Sequence, residues 1–300
     1  MSESRIERSV RKLKDHVRYY IAGLALKGIV GSHNATSLIK YLPFRRGEDY
    51  VIPKKPAATA ANGLPVQPPE QRLYGESAEM HLEGGRQSWE QIVDMLQTDG
   101  KMRLRGKRIL EFGCANGRLL RHFEPFAKNC EIWGVDINSK SIYWCKENLS
   151  PPFNFVTVTT IPHLPFEDRF FDVIYAGSVF THIDDLADAW FLEIRRVLAI
   201  DGLFCFTIHD RNTIKKMETT TAPDWRAFSK DLEGFPVFQT NKHNFGMIAI
   251  GRDDWSQIFY DMEYLKKSLE NIFEIIAVRE EAFGLQTAVL VRRKHSFAAL

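Results

Sequence analysis

Apolar residues recur along this chain in two rhythms. From Ile6 through Val10, Leu13, Val17, Tyr20/Ile21 and Leu24 the step is three or four residues, which is one face of an amphipathic helix. Gly28 and Gly31 end that pattern. Between Pro43 and Pro69 the rhythm is lost: six of the thirteen prolines fall there, around an Ala-rich stretch at 57–61, so a linker or extended loop is expected. Helical spacing returns at Trp89, Ile92, Val93 and Leu96 and closes at Gly100.

From residue 106 the period changes. Short β-rich runs at 108–112, 131–135, 153–158, 172–176 and 203–208 alternate with helical segments at roughly 117–126, 139–149 and 184–198. Near-continuous apolar strands separated by helices predict a parallel sheet covered on both faces. Two further runs, 273–278 and 287–292, are joined by only about eight residues. That is too short for a helical crossover, so this pair must be antiparallel. The expected fold is α/β: a doubly wound, seven-stranded, mostly parallel sheet with an antiparallel C-terminal strand, preceded by an N-terminal helical arm. The expected organisation is an arm over 1–42, a Pro-rich linker over 43–69 and an α/β domain over 70–300.

Charge refines this picture. The formal net charge is +2, but residues 1–55 carry 12 Lys and Arg against 5 Asp and Glu, while the remainder carries 28 against 33. The arm is basic and the body mildly acidic, which argues against a broad nucleic-acid surface. Arg5, Arg8, Arg11, Lys12, Lys14 and Arg18 fill the polar side of the first helix. Packing of that helix on its own domain is expected; peripheral contact with an anionic membrane is the alternative. No run of about 18 apolar residues is present, and the first residues lack the pattern of a secretory signal. Cys114, Cys130, Cys145 and Cys205 have no CxxC spacing, so reduced thiols in a cytoplasmic protein are expected. No grouping has metal-ligand spacing, and none is assigned to a metal.

The chemistry concentrates in Ile109-Leu-Glu-Phe-Gly-Cys-Ala-Asn-Gly-Arg-Leu-Leu-Arg-His122, which runs from a strand through a glycine turn into a helix. Gly113 permits a sharp backbone turn, Gly117 a close approach of ligand, and the helix start presents N–H groups to an anionic or polar ligand. Nineteen residues after Gly117, Asp136 ends the second strand, where a carboxylate accepts the hydroxyls of a ribose. The third glycine of the dinucleotide fingerprint is missing, and the antiparallel C-terminal pair fits that fold poorly.

These residues resemble the class I S-adenosylmethionine (SAM)-dependent methyltransferases of the small-molecule branch. The likeness extends through Leu164–Ile183, Leu192–Leu198 and Asp201-Gly202, and includes the closing antiparallel pair. It implies a Rossmann-like methyltransferase fold with SAM as cofactor. It also implies that Glu111, Gly113, Cys114, Ala115 and Gly117 line the methionine part of SAM. Asp136 would hold the ribose, with Ile137 and Asn138 beside the adenine and Thr160 and Ile161 at its edge. Gly177 and Ser178 would border the transfer site. Two residues depart from the family pattern: Ala115 stands at the middle glycine, and Thr160 where an Asp commonly faces the adenine amino group.

Base candidates are His182, after the fourth strand, and His209, after the fifth, because both project from the strand ends where ligands bind in such sheets. A helix-cap or core hydrogen bond is the structural alternative for His182. His163, His33, His81, His122, His243 and His295 read as ordinary surface or core residues. Residues 209–260 form an aromatic-rich insertion expected to cap the substrate, with Trp225, Phe228, Phe235, Phe238, Phe245, Trp255, Phe259 and Tyr260 chiefly forming its own core. Tyr74, Arg72 and Arg86 would close over the cofactor. The expected activity is transfer of a methyl group from SAM to an oxygen or nitrogen of a small-molecule acceptor, such as a sugar or a lipid-linked metabolite. The alternative is a non-catalytic SAM-binding or scaffold protein docked through its N-terminal helix.

Overall fold

Successive residues of each central strand enter different cores. Ile109, Val173, Tyr175, Leu203, Cys205 and Leu290 pack on one side of a sheet, and Leu110, Ile174, Ala176, Phe204, Phe206 and Val291 on the other. Both sets are buried, which is why these strands read as continuous apolar runs.

The computed structural model describes residues 58–59, 63–69, 77–251 and 256–295. The expected basic helix and most of the expected linker lie outside the described residues. The large sheet contains β1 (Arg108–Phe112), β2 (Glu131–Asp136), β3 (Asn154–Thr157), β4 (Phe171–Ala176) and β5 (Leu198–Ile208). A short antiparallel hairpin follows, β6 (Met247–Ile250) and β7 (Gln257–Tyr260), and then β8 (Phe273–Phe283) and β9 (Gln286–Arg293). The large sheet has seven strands in the order β8-β9-β5-β4-β1-β2-β3. Its first five strands run parallel, and β9 pairs antiparallel with both β5 and β8. The seven-stranded mixed sheet is therefore as expected. The joining loop is not: β8 runs on to Phe283 and β9 begins at Gln286, leaving a tight turn at Gly284-Leu285. The polar Arg279-Glu280-Glu281 stretch obscured that continuation, because β8 is an edge strand with a solvated face.

Seven α-helices lie among the described residues: α1 (Ala78–Asp94), α2 (Ser139–Leu149), α3 (Ala187–Val197), α4 (Arg211–Thr219), α5 (Pro223–Glu233), α6 (Pro236–Asn241) and α7 (Met262–Leu269). One core joins the sheet to α1 and α2, and the other joins it to α3 and α7. None of these helices is long and apolar enough to cross a membrane. The segment expected as a helix from Gly117 is instead a run of turns followed by a 3₁₀ helix, Leu120–Phe126. Gly117 has φ +73°, which a right-handed helix cannot use, and Pro125 lacks an N–H for the longer α-type bond.

Within the expected linker, Ala58–Thr59 pairs with Pro65–Val66, and the following residues dock on the domain. Val66 and Gln67 are buried, the Gln67 amide donates to the Asn116 carbonyl, and Arg121 donates to the Leu64 carbonyl at 3.0 Å.

Helices α4 to α6 and the β6–β7 hairpin build a third core from Ile214, Met217, Leu232, Phe238, Ile248 and Phe259, so the insertion has an interior of its own. Trp225, Phe228, Phe235 and Phe245 pack with it, whereas Tyr260 enters the sheet core. Trp255 lies outside the described residues.

The most tightly packed aromatic pair is Phe180 on Phe191, with ring centroids 4.3 Å apart, and Phe191 also meets Phe206 at 5.3 Å. Phe191→Ala should lower unfolding free energy by about 3–5 kcal/mol in denaturant titrations, since it empties a fully buried ring site.

Candidate active site at the carboxyl ends of the strands

Three residues in left-handed conformation make the turn after β1: Gly113 at φ +79°, Ala115 at +45° and Gly117 at +73°. At Gly113 an added Cβ would fall 2.3 Å from Val179 Cγ2, so both conformation and space exclude a side chain. The Gly113 and Cys114 N–H groups donate to the Val135 carbonyl at 2.9 and 3.0 Å, tying the turn to β2. Ala115 carries its methyl into a conformation that favours glycine, and its N–H donates to Asp136 Oδ2 at 2.7 Å.

Asp136 is half-buried and uses both oxygens, because Oδ1 accepts the Asn138 N–H at 2.7 Å. Burial raises its pKa, and the N–H bonds from Asn138, Ala115 and Ile137 oppose that rise. Asn138 in turn caps α2 by accepting the Ser141 N–H at 3.0 Å. One carboxylate thus fixes the glycine turn, the end of β2 and the start of the next helix. The carboxylate keeps acceptor capacity for a ligand hydroxyl.

Glu111 lies beneath this turn and is buried. In register it faces Gly134 on one neighbouring strand and Tyr175 on the other. The Tyr175 hydroxyl donates to Glu111 Oε2 at 2.9 Å. Desolvation pushes the Glu111 carboxyl up to about 8, against the pull of the Tyr175 hydroxyl and of Arg118. Burial likewise raises the Cys114 and Cys145 thiols, so both remain protonated. Helix α1 closes over the turn: a Cβ on Gly85 would fall 2.6 Å from the Arg118 carbonyl. Arg86, on that helix, is engaged with Glu83 and Glu90. Arg72 and Tyr74 lie outside the described residues.

Beside the turn, Ile137 and Ile161 are 39% and 47% exposed. They leave two aliphatic side chains uncovered at the neighbouring ends of β2 and β3, with Thr160 between them and β3. Past β4, Ser178 sits at φ +56° in a closed polar ring. Its N–H donates to Thr207 Oγ1 at 2.7 Å, Thr207 donates to Gln286 Oε1 at 2.6 Å, and Gln286 Nε2 donates to Ser178 Oγ at 2.9 Å. Gly177 lies against Phe283, where a Cβ would fall 2.8 Å from the ring.

His182 and His209 are brought together, but in different settings. His182 is an exposed residue whose Nδ1 lies 2.8 Å from the Ser256 carbonyl. A carbonyl only accepts, so this bond assigns the proton to Nδ1 and leaves Nε2 as the basic nitrogen. Desolvation of the enclosed part of the ring lowers its pKa, opposed by that carbonyl. His209 is buried, stacked on Phe259 at 5.0 Å, and flanked by Phe228 and Trp225 at 5.6 and 6.2 Å. Burial drives its pKa down to about 3.

Comparison with known proteins agrees with this geometry. Residues 110–206 match the family model described as a methyltransferase domain. The malonyl-[acyl-carrier protein] O-methyltransferase of Geobacter sulfurreducens is 31% identical over 132 residues, 44% of this chain and 48% of that protein. The sterol 24-C-methyltransferase of Schizosaccharomyces pombe is 35% identical over 104 residues, 33% of this chain and 27% of that protein. This chain therefore spans about half or less of each of these two relatives. A solved structure from Listeria monocytogenes, described as a candidate SAM-dependent methyltransferase, shares the fold: TM-score 0.50 and 15% identity, over 70% of this chain and 98% of that one.

Residues 110–206 are a methyltransferase domain, and the fold is that of a SAM-dependent methyltransferase.

The residues present suit that family's cofactor. Asp136 offers lone pairs where a ribose would lie, and Ile137 and Ile161 offer apolar faces to a flat base. Glu111 is a buried carboxyl with no carboxylate-like solvation, which a cationic ligand nearby would favour in its ionised form. The support of this candidate site was not legible in the sequence. Tyr175, Thr207 and Gln286 are polar residues in otherwise apolar strands, and each proves to hold Glu111 or Ser178. That interruption was the available signal. The docking of Gln67 on Asn116 had none, since it joins residues 49 positions apart through a segment without periodicity.

Two predictions follow from this electrostatics and geometry. Asp136→Ala should weaken SAM binding at least tenfold by calorimetry, since a charge-assisted hydrogen bond contributes about 1.5–3 kcal/mol and 1.4 kcal/mol is that factor. Gly113→Val should be worse. For Glu111, the folded chain holds its proton up to about pH 8, whereas an unfolded glutamate loses it near 4.5. Stability of the ligand-free protein should therefore fall as pH rises across that window, by about 1.4 kcal/mol per pH unit at most. The depressed His122, His182 and His209 act in the opposite sense only below their ordinary value of 6.5. Thermal melts between pH 6.5 and 8 should thus slope downward in the wild type and flatten in Glu111→Gln.

Proposed function

We propose that this protein transfers a methyl group from SAM to an oxygen or nitrogen of a small, largely apolar acceptor held beneath the insertion at 209–260. The observation that carries the reading is the pairing of the Asp136-anchored turn with an oriented imidazole, His182, at the end of the adjacent β4. SAM, when bound, supplies an electrophilic methyl on a sulfonium centre. Glu111, the 113–117 turn and Asp136 bind its methionine and ribose parts, with Ile137, Asn138, Thr160 and Ile161 around the base. Gly177 and Ser178, fixed by Thr207 and Gln286, border the acceptor. His182 Nε2 takes the proton that the acceptor hydroxyl or amine gives up. Much of the remaining acceleration comes from alignment of acceptor and methyl at short range.

An apolar acceptor is supported by relatives named for a sterol and for a malonyl-acyl carrier, and Trp225 and Phe228 are only partly buried against the core of the insertion. A lipid-linked acceptor fits those relatives better than a free sugar. The family's chemistry and the neutral imidazole together favour an enzyme over a SAM-binding scaffold.

The test is incubation of the full chain with methyl-labelled SAM and panels of fatty acids, sterols, polyketide-like phenols and sugars, following S-adenosylhomocysteine and labelled product. Turnover with an apolar hydroxyl- or amine-bearing acceptor is expected. Turnover should fall tenfold per pH unit on the acidic side of a midpoint below about 6.5, because protonated His182 cannot accept a proton. His182→Gln should lower kcat by about 10²–10⁴ at neutral pH. Tight SAM binding without product from any acceptor class would favour the scaffold reading.

A further inference from the structure

The Ser178 hydroxyl takes its hydrogen-bonding polarity from the buried ring it closes. Thr207 is buried, and its Oγ1 already accepts the Ser178 N–H at 2.7 Å. Its own proton has Gln286 Oε1, 2.6 Å away, as acceptor. Were the Gln286 amide turned round, that proton would be buried with nothing to receive it. Gln286 Nε2 is therefore the atom that faces Ser178, and it donates to Oγ at 2.9 Å. A second hydroxyl, that of Thr181, lies 3.4 Å from Ser178 Oγ. Thr181 is fully buried and its hydroxyl has no other partner among the described residues, so its proton also points at Ser178. Both lone pairs of Ser178 Oγ are thus engaged, and what the hydroxyl has left to offer is its proton. No acceptor among the described residues receives it. Ser178 is only partly buried, and the neighbouring Val179 lies against Gly113, so this donor stands beside the cofactor turn. The same bend after β4 carries His182, whose N–H donates to the Val179 carbonyl at 2.9 Å.

Resting on the reading of His182 as proton acceptor, we propose that Ser178 selects oxygen over nitrogen as the methylated atom, so that the acceptor is a hydroxyl on an apolar molecule. A hydroxyl oxygen has two lone pairs and one proton. One lone pair accepts the Ser178 O–H, the proton is held by His182 Nε2, and the other lone pair attacks. It forms the new carbon–oxygen bond while the sulfur–carbon bond of SAM breaks, that electron pair returning to sulfur, and the proton passes to His182. The products are a methyl ether, S-adenosylhomocysteine and an imidazolium. A neutral amine nitrogen has one lone pair. Engaged with the Ser178 O–H it cannot attack, and used for attack it leaves the Ser178 proton without a partner. Gln286 and Thr207, both buried, are positioning residues: they keep the Ser178 proton turned outward.

Calorimetry on the full chain loaded with S-adenosylhomocysteine, titrated with 4-octylphenol and with 4-octylaniline, tests this. The two probes share one shape and are uncharged at neutral pH, but only the phenol can accept from Ser178 while donating to His182. The wild type should bind the phenol about tenfold tighter than the aniline, the factor one hydrogen bond supplies. Ser178→Ala should bring the two affinities to within about twofold. Gln286→Glu, whose carboxylate only accepts, should draw the Ser178 proton inward and abolish the preference with the hydroxyl still present. Thr207→Ser, which keeps the ring hydroxyl, should retain it. A ring with a merely structural role would weaken both probes alike in Gln286→Glu and leave their ratio unchanged. Equal wild-type affinities, a phenol preference that survives in Ser178→Ala, or binding of neither probe would overturn the proposal. If Gln286→Glu does not fold, Ser178→Ala decides alone. Failure of the wild type to bind S-adenosylhomocysteine is a separate result, which removes the methyltransferase reading itself.

Discussion

The carboxylate of Asp136 is the constraint on which the site depends. A turn with three left-handed residues, one of them alanine, is a poor conformation for a free chain, and the bonds it makes to β2 hold it in place. Asp136 accepts the Ala115 N–H with one oxygen and the Asn138 N–H with the other. The strained turn and the entry to α2 are thereby fixed by a single side chain at the edge of a buried sheet. Asn138 passes the constraint on by capping α2, whose Cys145 and Leu149 pack back against Gly117. A ligand meeting this edge finds its partners already arranged, which reduces the ordering needed on binding.

Much of this was legible in the sequence because strong periodicity and special backbone positions leave direct marks. Gly113, Gly117 and Asp136 could be read from type and spacing, and strands β1, β2 and β4 from runs that only a sheet buried on both faces tolerates. The helix expected at 117–126 could not be read correctly, because its apolar spacing serves a 3₁₀ segment as well as an α-helix, and the positive φ of Gly117 is a tertiary outcome. The length of β8 was hidden by Arg279, Glu280 and Glu281 on an edge strand, where polar residues are compatible with pairing on one side.

What remained illegible was long-range polar support. Ser178, Thr207 and Gln286 form one hydrogen-bonded ring from three strand ends, and no local pattern joins positions 178 and 286. The same holds for His182 and Ser256, which meet only because β7 returns to the ends of β4 and β5. Chemistry-bearing residues were visible one at a time; their partners emerged only from the topology. The insertion at 209–260 is thus both a separate hydrophobic core and part of the polar edge of the sheet.

The central claim is that the Asp136-anchored turn is the cofactor site of a methyltransferase. The most direct measurement is a crystal structure of the full chain grown with S-adenosylhomocysteine. The account predicts the ribose hydroxyls on the Asp136 carboxylate, the base between Ile137 and Ile161, and the amino-acid end over Gly113 toward Glu111. Ligand bound elsewhere, or bound here with its ribose away from Asp136, would contradict it.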